Sequence, residues 1–341
     1  MGQRTLKKCT MQDIANASGV SIATVSHVLH GSGNVSDATR ERVRDVARKL
    51  HYVSQSDSGA RFRQNRKVVG IILQDVRNEF YAACAGSVLS CADGSVYTVV
   101  IHDCGYSRKR ALDAVQECIY QNASGIIFFG GTADNEPMRL ANSCNIPVVL
   151  ANCHVDGFNV VSFNHVRAMR DVVSRLFNAG RRKFLYMTET PELQSVRERQ
   201  DGFLLGMTDC NLSPEQCLVI SDKRLQRKKA ETAHEVLSEY LTSNGLWFDT
   251  LLTSSDLIAI GALHCLREMQ IRVPDDVWLV GYDNISVSAL VSPALTTINQ
   301  DTDRLGEVAF SLLLEIIQTS DFRPKQVTIE NTIIVRESAL I

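Results

Sequence analysis

Histidine and cysteine are the residue types in this chain best able to bind metals or act as nucleophiles and bases. The eight histidines are dispersed along the 341 residues, and the ten cysteines contain no C-x-x-C pair. The sequence has no G-x-S-x-G, H-E-x-x-H or Walker motif. We therefore expect no enzyme activity, no cofactor and no metal site. We expect the cysteines to be small buried residues in a reducing cytoplasm.

The charge distribution separates the first 66 residues from the remainder. Residues 1–66 carry 11 basic and 5 acidic side chains, and the other residues carry 25 basic and 33 acidic ones. A basic head on an acidic body predicts that the head approaches a polyanion, although a solvated surface without a partner would look the same. No apolar run approaches the roughly 20 residues of a membrane helix, and the basic N-terminus lacks a signal-peptide core.

Capping residues divide residues 10–50 into three predicted helices. Thr10 and Asp13 form a capping-box pattern, and Gly19 can adopt the positive φ of a turn. Ser21 and Ser36 precede the second and third helices as N-caps. A short turn with glycine between two helices is typical of DNA-binding helix-turn-helix domains, although a plain three-helix bundle looks similar. The predicted core positions are Met11, Ile14, Ala15, Val25, Val28, Leu29, Val43, Val46, Ala47 and Leu50.

The sequence TMQDIANASGVSIATVSHVLH at residues 10–30 closely resembles the N-terminus of the LacI/GalR repressor family. Residues 34–36, 39–40 and 50–52 continue this resemblance. It implies a DNA-binding domain over residues 1–53, whose second helix contacts bases.

The resemblance assigns base contacts to Ile22, Ala23 and His27. The first two offer only apolar contact, which suits a thymine methyl group, and His27 can hydrogen-bond a purine edge. Ile22 could instead be a packing residue. The expected phosphate contacts come from helix N-termini and from polar side chains, namely Ser21, Thr24, Ser26 and Asn34.

Residues 54–66 form a predicted hinge or linker that departs from the family pattern. The family's proline is absent, Gly59 disfavours a helix, and Arg63 stands where the family has a leucine that wedges into the minor groove. Phe62 could replace that wedge. A flexible basic linker contacting phosphates is the alternative that we favour for the free protein, with Arg61, Arg63 and Arg66 as its contacts.

From residue 68 onward, short apolar strands alternate with helical stretches, and a predicted amphipathic helix covers residues 305–318. Buried apolar strands separated by helices predict parallel sheets with helices on both faces. Two such series predict an α/β sensor with two lobes, each a doubly wound sheet, behind the all-α helix-turn-helix head. The predicted strands cover residues 68–73, 96–101, 125–129, 147–151, 183–187, 249–253 and 277–280.

This region resembles periplasmic-binding-protein-like sensor domains, most specifically at residues 255–263, 273–284 and 293–298. The resemblance implies an effector-binding and dimerisation domain over residues 67–341. Its chain would cross between lobes near residues 163–164, 299–300 and 328. The implied N-lobe and C-lobe are discontinuous in sequence, covering about 67–163 with 300–327 and 164–299 with 328–341.

The resemblance places an effector pocket between the lobes. Its Arg199 and Asp283 could together grip oxygen atoms of a compact polar ligand, or could form an interlobe salt bridge without a ligand. Phe80 and Tyr81 are expected to stack on the effector. The implied pocket residues are Asp75, Phe80, Tyr81, Phe163, Ser195, Arg199, Asp256 and Asp283.

Three positions depart from the sensor family. Phe163 replaces a common aspartate, and Leu193 replaces a polar residue of purine binders, so a purine effector is not expected. The basic run at residues 223–229 stands where an aromatic wall is often found. It is usually the solvated start of a helix, but Lys223 or Arg224 could face the cleft and select an anionic effector. The expected effector is a sugar, sugar phosphate or sugar acid.

The function implied is that of a regulator, with repression favoured, whose affinity for operator DNA changes with effector binding. One short reading helix covers few bases, so we expect a homodimer on a palindromic operator. The alternative is a solute-binding or protein-docking module of the same fold without effector-controlled DNA binding.

Overall fold

The computed structural model describes residues 10–30, 35–50, 67–131, 135–319 and 323–341. The chain forms two compact units, residues 1–67 and residues 68–341. No helix in these described ranges is long and apolar enough to cross a membrane.

The first unit contains three helices, α1 (Met11–Ser18), α2 (Ile22–His30) and α3 (Asp37–Lys49). Thr10 caps α1, since its side chain accepts from the Asp13 N–H while the Asp13 carboxylate accepts from the Thr10 N–H at 2.7 Å. Gly19 ends α1 with φ of 68°, in the left-handed region. This is the conformation expected of a glycine after a helix.

The three helices of the first unit share one apolar core. Its buried members are Ile14, Ala15, Val25, Val28, Val43 and Ala47. Leu50, which the sequence placed in this core, is 38% exposed. That prediction was wrong because α3 ends at Lys49, and the turn that follows does not keep Leu50 on the helix's apolar face.

The second unit contains two six-stranded sheets, in the orders β11-β5-β4-β3-β1-β2 and β12-β10-β9-β8-β6-β7. Their strand pairs are mostly parallel, whereas β10 and β12 are antiparallel. The strands are β1 (Lys67–Leu73), β2 (Tyr97–Asp103), β3 (Gly125–Phe129), β4 (Val148–Ala151), β5 (Asn159–Phe163), β6 (Phe184–Thr188), β7 (Cys217–Ser221), β8 (Thr250–Thr253), β9 (Trp278–Asp283), β10 (Thr296–Asn299), β11 (Gln326–Ile329) and β12 (Thr332–Ile334). The predicted fold class is confirmed.

Helices pack on both faces of each sheet. In β1, for example, Val69 and Ile71 face one apolar core while Ile72 faces another. Covering both faces is what makes these strands apolar along their length. The helices of this unit are α4 (Glu79–Ala92), α5 (Arg108–Tyr120), α6 (Glu136–Ser143), α7 (His165–Asn178), α8 (Gln194–Asp209), α9 (Lys229–Asn244), α10 (Asp256–Glu268) and α11 (Thr302–Thr319).

The chain passes between the two sheets three times, after β5, after β10 and after β11. The N-lobe therefore contains the first sheet with α4–α6 and α11, and the C-lobe contains the second sheet with α7–α10. Helix α11 buries Leu305, Phe310 and Leu313 against the N-lobe core.

Nine described cysteines are free thiols, and their burial only partly follows the prediction. Cys91 and Cys144 are exposed, which corrects the expectation of uniform burial. Cys144 follows the last residue of α6 as its C-cap, and the exposed Cys91 lies near the end of α4. Buried cysteines include Cys84 and Cys153, whose thiol pKa values are raised by burial.

Candidate functional site

The first candidate site is the solvent face of α2. Val25 and Val28 are buried against the other helices, whereas Ile22, Ala23 and His27 are exposed, with Ile22 44% exposed. Residues spaced by four along a helix share a face, which places Ile22 beside Ser26 and Ala23 beside His27. The three residues expected to contact bases are therefore accessible together.

The start of α2 is fixed by local hydrogen bonds. The Thr24 N–H donates to the Ser21 hydroxyl at 3.1 Å, and the two hydroxyl groups lie 2.8 Å apart. Ser21 is thus the N-cap that the sequence predicted. Asn34, Arg61 and Phe62, together with the whole segment 54–66, lie outside the described residues, and their proposed DNA contacts stay predictions.

The second candidate site is a cavity between the lobes, called here the cleft cavity. Polar side chains reach it from the carboxyl ends of parallel strands, where ligands bind in such folds. The N-lobe contributes Asn78, Phe80, Tyr81, Tyr106 and Asn152. The C-lobe contributes Glu189, Leu193, Ser195, Val196, Arg199, Lys229, Ser255 and Asp283.

Arg199 on α8 is the central cation of the cleft cavity. Its guanidinium lies 3.6 Å from the Asp283 carboxylate, donates to the Ser254 carbonyl oxygen at 2.5 Å and stacks 4.0 Å above the Tyr282 ring. Burial raises the pKa of Asp283 to about 6, although Arg199 opposes that rise. Asp283 also accepts from the Gln300 amide at 2.5 Å. Both charges are therefore held in a fixed, nearly dry position.

Lys229 and Glu189 form a second buried ion pair in the cleft cavity. The ammonium lies 2.5 Å from the Glu189 carboxylate, which also accepts a hydrogen bond from the Ser254 hydroxyl. Burial acts to raise the pKa of Glu189, but Lys229 and Ser254 outweigh it, and the net shift is downward. Glu189 is therefore ionised at neutral pH.

Aromatic rings form the N-lobe wall of the cleft cavity. Phe80 and Tyr81 meet edge to face, with centroids 5.2 Å apart, and both are buried. Tyr106 has φ of 58° and Asp283 has φ of 114°. Positive φ values are costly for residues other than glycine and cluster at functional sites. The backbone thus holds one side chain from each lobe in place at a cost in strain.

Some predicted effector residues line the cleft cavity and others do not. Phe80, Tyr81, Ser195, Arg199 and Asp283 line it directly. Asp75, paired with Arg77 at 2.9 Å, lines an adjoining opening that shares Tyr106 and Lys229 with it. Phe163 lines a neighbouring pocket of about 330 Å³ at the first crossover, and packs against His165.

Asp256 does not line the cleft cavity, which corrects its predicted role. Its carboxyl group accepts from the Ile285 N–H at 2.9 Å and from the Thr297 hydroxyl at 2.6 Å. The residue is completely buried, and burial raises its pKa well above the usual range. Asp256 therefore anchors the loop after β9 from behind the cavity.

Lys223 and Arg224 also fall outside the cleft cavity. Both are exposed in a short 3₁₀ helix (Lys223–Gln226), and Arg224 binds Glu239 at 2.9 Å and Asp222 at 2.8 Å. The residue of the basic run that lines the cavity is Lys229. Arg224 is directed to two carboxylates at the surface and Lys223 is exposed in the same short helix, so neither side chain lines the cleft cavity, which corrects the hypothesis that one of them selects an anion there.

The Arg199–Asp283 pair lies within the C-lobe, so it is not the interlobe salt bridge considered above. The lobes are joined elsewhere by hydrogen bonds. Arg227 donates to the Gly105 carbonyl oxygen at 2.9 Å, the Ser286 N–H donates to Glu79 at 2.7 Å, and the His154 N–H donates to Gln194 at 2.8 Å. These contacts hold the lobes closed around a cavity of only about 20 Å³. A cavity of that size holds about one water molecule, so an effector of sugar size would enter only after the lobes separate.

Sequence reasoning missed Glu189, Lys229, Tyr106 and Asn152. Glu189 and Asn152 each follow the last residue of a strand, β6 and β4, and Tyr106 lies in the turn after β2. Inspecting the residue after each predicted strand would have found Asn152, whereas Glu189 lies two residues beyond the predicted strand at 183–187 because β6 continues to Thr188.

Comparisons with known proteins cover both units. Residues 10–55 match the model of bacterial regulatory proteins, lacI family, and residues 173–339 match that of the periplasmic binding protein-like domain. Catabolite control protein A of Staphylococcus xylosus is 26% identical over 326 residues, covering 95% of this chain and 97% of the relative.

Solved structures share the fold over nearly the whole chain. A LacI-family transcriptional regulator from Silicibacter pomeroyi is 25% identical with a TM-score of 0.77, covering 97% of this chain and 99% of the other. The lac repressor dimer bound to operator and the anti-inducer ONPF is 23% identical with a TM-score of 0.75, covering 98% and 100%.

Proposed function

The chain belongs to the LacI family of DNA-binding transcription regulators, and from this premise we propose that it represses transcription as a homodimer on a palindromic operator. In this proposal α2 reads bases in the major groove, and a small polar effector in the cleft cavity changes the affinity for the operator. The family consists of transcription regulators, so no catalytic activity is proposed.

The exposed face of α2 is the observation that carries the DNA-binding proposal. Ile22 and Ala23 present apolar groups to solvent at the start of the helix, and His27 presents a ring that can donate or accept. Because the opposite face of α2 is packed against the other helices, these side chains are accessible to a partner. Ser21 and Thr24 lie at the helix N-terminus, where backbone N–H groups favour phosphate oxygens.

Replacing His27 by alanine is expected to weaken binding to the cognate operator by about 1–3 kcal/mol, because a base contact is lost. The operator would first be selected from random duplexes with the unmodified protein. Fluorescence anisotropy would then measure the affinity of both proteins for this operator and for its single base-pair variants.

Unrelated duplex DNA is the matched control for His27→Ala, since phosphate contacts are independent of sequence. We expect both proteins to bind it equally, and the variant to lose discrimination at one base pair. Equal weakening on every DNA sequence would show that His27 does not read a base.

The charges of the cleft cavity favour a neutral effector over a sugar phosphate or sugar acid. Its two cations, Arg199 and Lys229, are each already paired with a carboxylate, Asp283 or Glu189. An added phosphate would have no uncompensated cation among these four groups. Among the described residues, Arg199 Nε and Ser255 Oγ are buried without hydrogen-bond partners. We therefore infer a neutral polyhydroxylated effector, such as a sugar.

Thermal unfolding with a panel of neutral sugars and their phosphates and acids tests this inference. A ligand present at 100 times its dissociation constant stabilises the folded state by about 2.7 kcal/mol. We expect a neutral sugar to raise the melting temperature and to change operator affinity in a gel shift. Stabilisation by the anionic compounds alone would contradict the charge argument. Operator affinity that no compound alters would instead favour the protein-docking alternative.

A further inference from the structure

A cluster of two histidines and one glutamate lies on the C-lobe surface. His234 is on α9, and His264 and Glu268 are one turn apart on α10. The Glu268 carboxylate lies 2.6 Å from His234 Nε2 through one oxygen and 3.6 Å from His264 Nε2 through the other. Two imidazole nitrogens from different helices therefore converge on one carboxylate.

The geometry of this cluster matches the donor requirements of a transition-metal ion. One ligand atom from each residue can be chosen so that all three lie within 4.8 Å of one another. Zinc binds imidazole nitrogen and carboxylate oxygen at about 2.0–2.2 Å, so small side-chain rotations would bring the three donors around one ion. The spacing of His264 and Glu268 by four residues places both on the same face of α10.

A hydrogen-bonded cluster without an ion explains only part of this arrangement. The contact between His234 and Glu268 has hydrogen-bond length, but 3.6 Å between His264 and Glu268 exceeds it. The two histidine rings are tilted by 42° with centroids 4.9 Å apart. Ring packing accounts for the approach of His264 to His234, and a hydrogen bond accounts for His234 beside Glu268, but neither explains why both Nε2 atoms face the one carboxylate, as the ligands of a shared ion would.

We propose that His234, His264 and Glu268 form a binding site for a divalent transition-metal ion of the zinc class. Imidazole and carboxylate ligands together suit Zn²⁺, Ni²⁺ and Cu²⁺ better than Mg²⁺ or Ca²⁺, which prefer oxygen ligands alone. The side chains are 29%, 51% and 56% exposed. Water can therefore complete the coordination shell. This proposal departs from the sequence expectation of no metal site, in which the cluster was not considered because His234 lies 30 residues before His264.

The position of the site gives the bound ion a structural role. Helices α9 and α10 pack closely, and a side chain at Gly261 would collide with the Ala230 carbonyl oxygen. Helix α9 begins at Lys229 in the cleft cavity, and α10 begins at Asp256 directly behind it. An ion held by both helices would join the two elements that support this wall of the cavity.

Zinc titration of the metal-free full-length protein tests the proposal. A chromophoric chelator competing for Zn²⁺ would report stoichiometry and affinity for the unmodified chain and for His234→Gln, His264→Gln and Glu268→Gln. Each substitution is expected to weaken one zinc equivalent per chain by at least about tenfold, because one of three protein ligands is lost. Cysteine thiols elsewhere in the chain also bind zinc, so the proposal is judged by the difference in zinc binding between the unmodified chain and each variant.

Glu235→Gln is the matched control, since Glu235 is exposed beside His234. This substitution removes the same negative charge as Glu268→Gln. It should bind zinc as the unmodified chain does. Melting temperatures without metal should agree among all five proteins, and Zn²⁺ should raise those of the unmodified chain and Glu235→Gln only. Identical zinc binding by all five proteins, or equal weakening in Glu235→Gln, would overturn the proposal.

Discussion

Replacing Arg199 by methionine is expected to lower the free energy of unfolding by about 3–5 kcal/mol, because a buried carboxylate loses its charged partner. Arg199 is almost completely buried and its guanidinium lies 3.6 Å from Asp283. The substitution also removes the hydrogen bond to the Ser254 carbonyl oxygen. Urea denaturation would measure the stability loss, and ligand-dependent melting would measure loss of effector binding.

The stability loss in Arg199→Met should depend on pH. The pKa of Asp283 is about 6 in the folded protein, above its usual 3.8, so the folded state binds the extra proton between these values. Stability contributed by this group therefore falls as pH rises through that window. Without Arg199 the pKa rises further, and the loss should be larger at pH 8 than at pH 5.

Arg197→Met is the control, because Arg197 lies on the same helix but is exposed. It should change stability by less than about 0.5 kcal/mol, as is usual at surface positions. An Arg199→Met loss that is equal at both pH values would show that Asp283 is not the group left unpaired.

The second large effect is expected for Lys229→Met. Glu189 would remain as an uncompensated buried carboxylate, which costs about 3–5 kcal/mol. Adding Glu189→Gln removes that charge, so the double variant should be more stable than Lys229→Met alone. Such non-additivity is the signature of a direct interaction. Urea denaturation of both single variants, the double variant and the unmodified chain completes the cycle.

Lys223→Met serves as the control for Lys229→Met, since Lys223 belongs to the same basic run but is exposed. It should leave stability and effector binding unchanged. A double variant whose loss equals the sum of the two single losses would show that Lys229 and Glu189 are not coupled. A larger loss of effector binding in Lys223→Met than in Lys229→Met would instead support the sequence interpretation, in which Lys223 or Arg224 contacts the effector.

Elements with strong apolar periodicity were predictable, and short or partly exposed ones were not. The helices of the first unit and seven strands of the second follow from capping residues and apolar runs. The sequence analysis missed five strands, β5, β7, β10, β11 and β12. Of these, β11 (Gln326–Ile329) alternates between exposed and half-buried residues, and β12 (Thr332–Ile334) has only three residues. Pairing with distant strands forms these two elements, and local sequence carries little of that signal.

The cleft cavity shows a similar division. Arg199 and Asp283 were found through the family resemblance. In the basic run at 223–229, however, the sequence analysis chose Lys223 or Arg224 as the cavity residue, whereas Lys229 lines the cavity. A 3₁₀ helix capped by Asp222 and the left-handed φ of 50° at Lys228 determine which side chain turns inward. The sequence shows that several cations are present in this run. It does not show the backbone conformation that directs one of them, Lys229, into the cavity.

The three passages between lobes have a consequence for synthesis on the ribosome. The N-lobe is translated first, yet α11 and β11, which complete its core and sheet, are among the last elements made. Domains usually fold as units in the order of translation. Here neither lobe can complete its sheet until β11 and β12, the last strands of the chain, have left the ribosome. A premature stop after Asn299 would therefore leave both lobes incomplete, with apolar residues of the nascent chain open to chaperones and proteases.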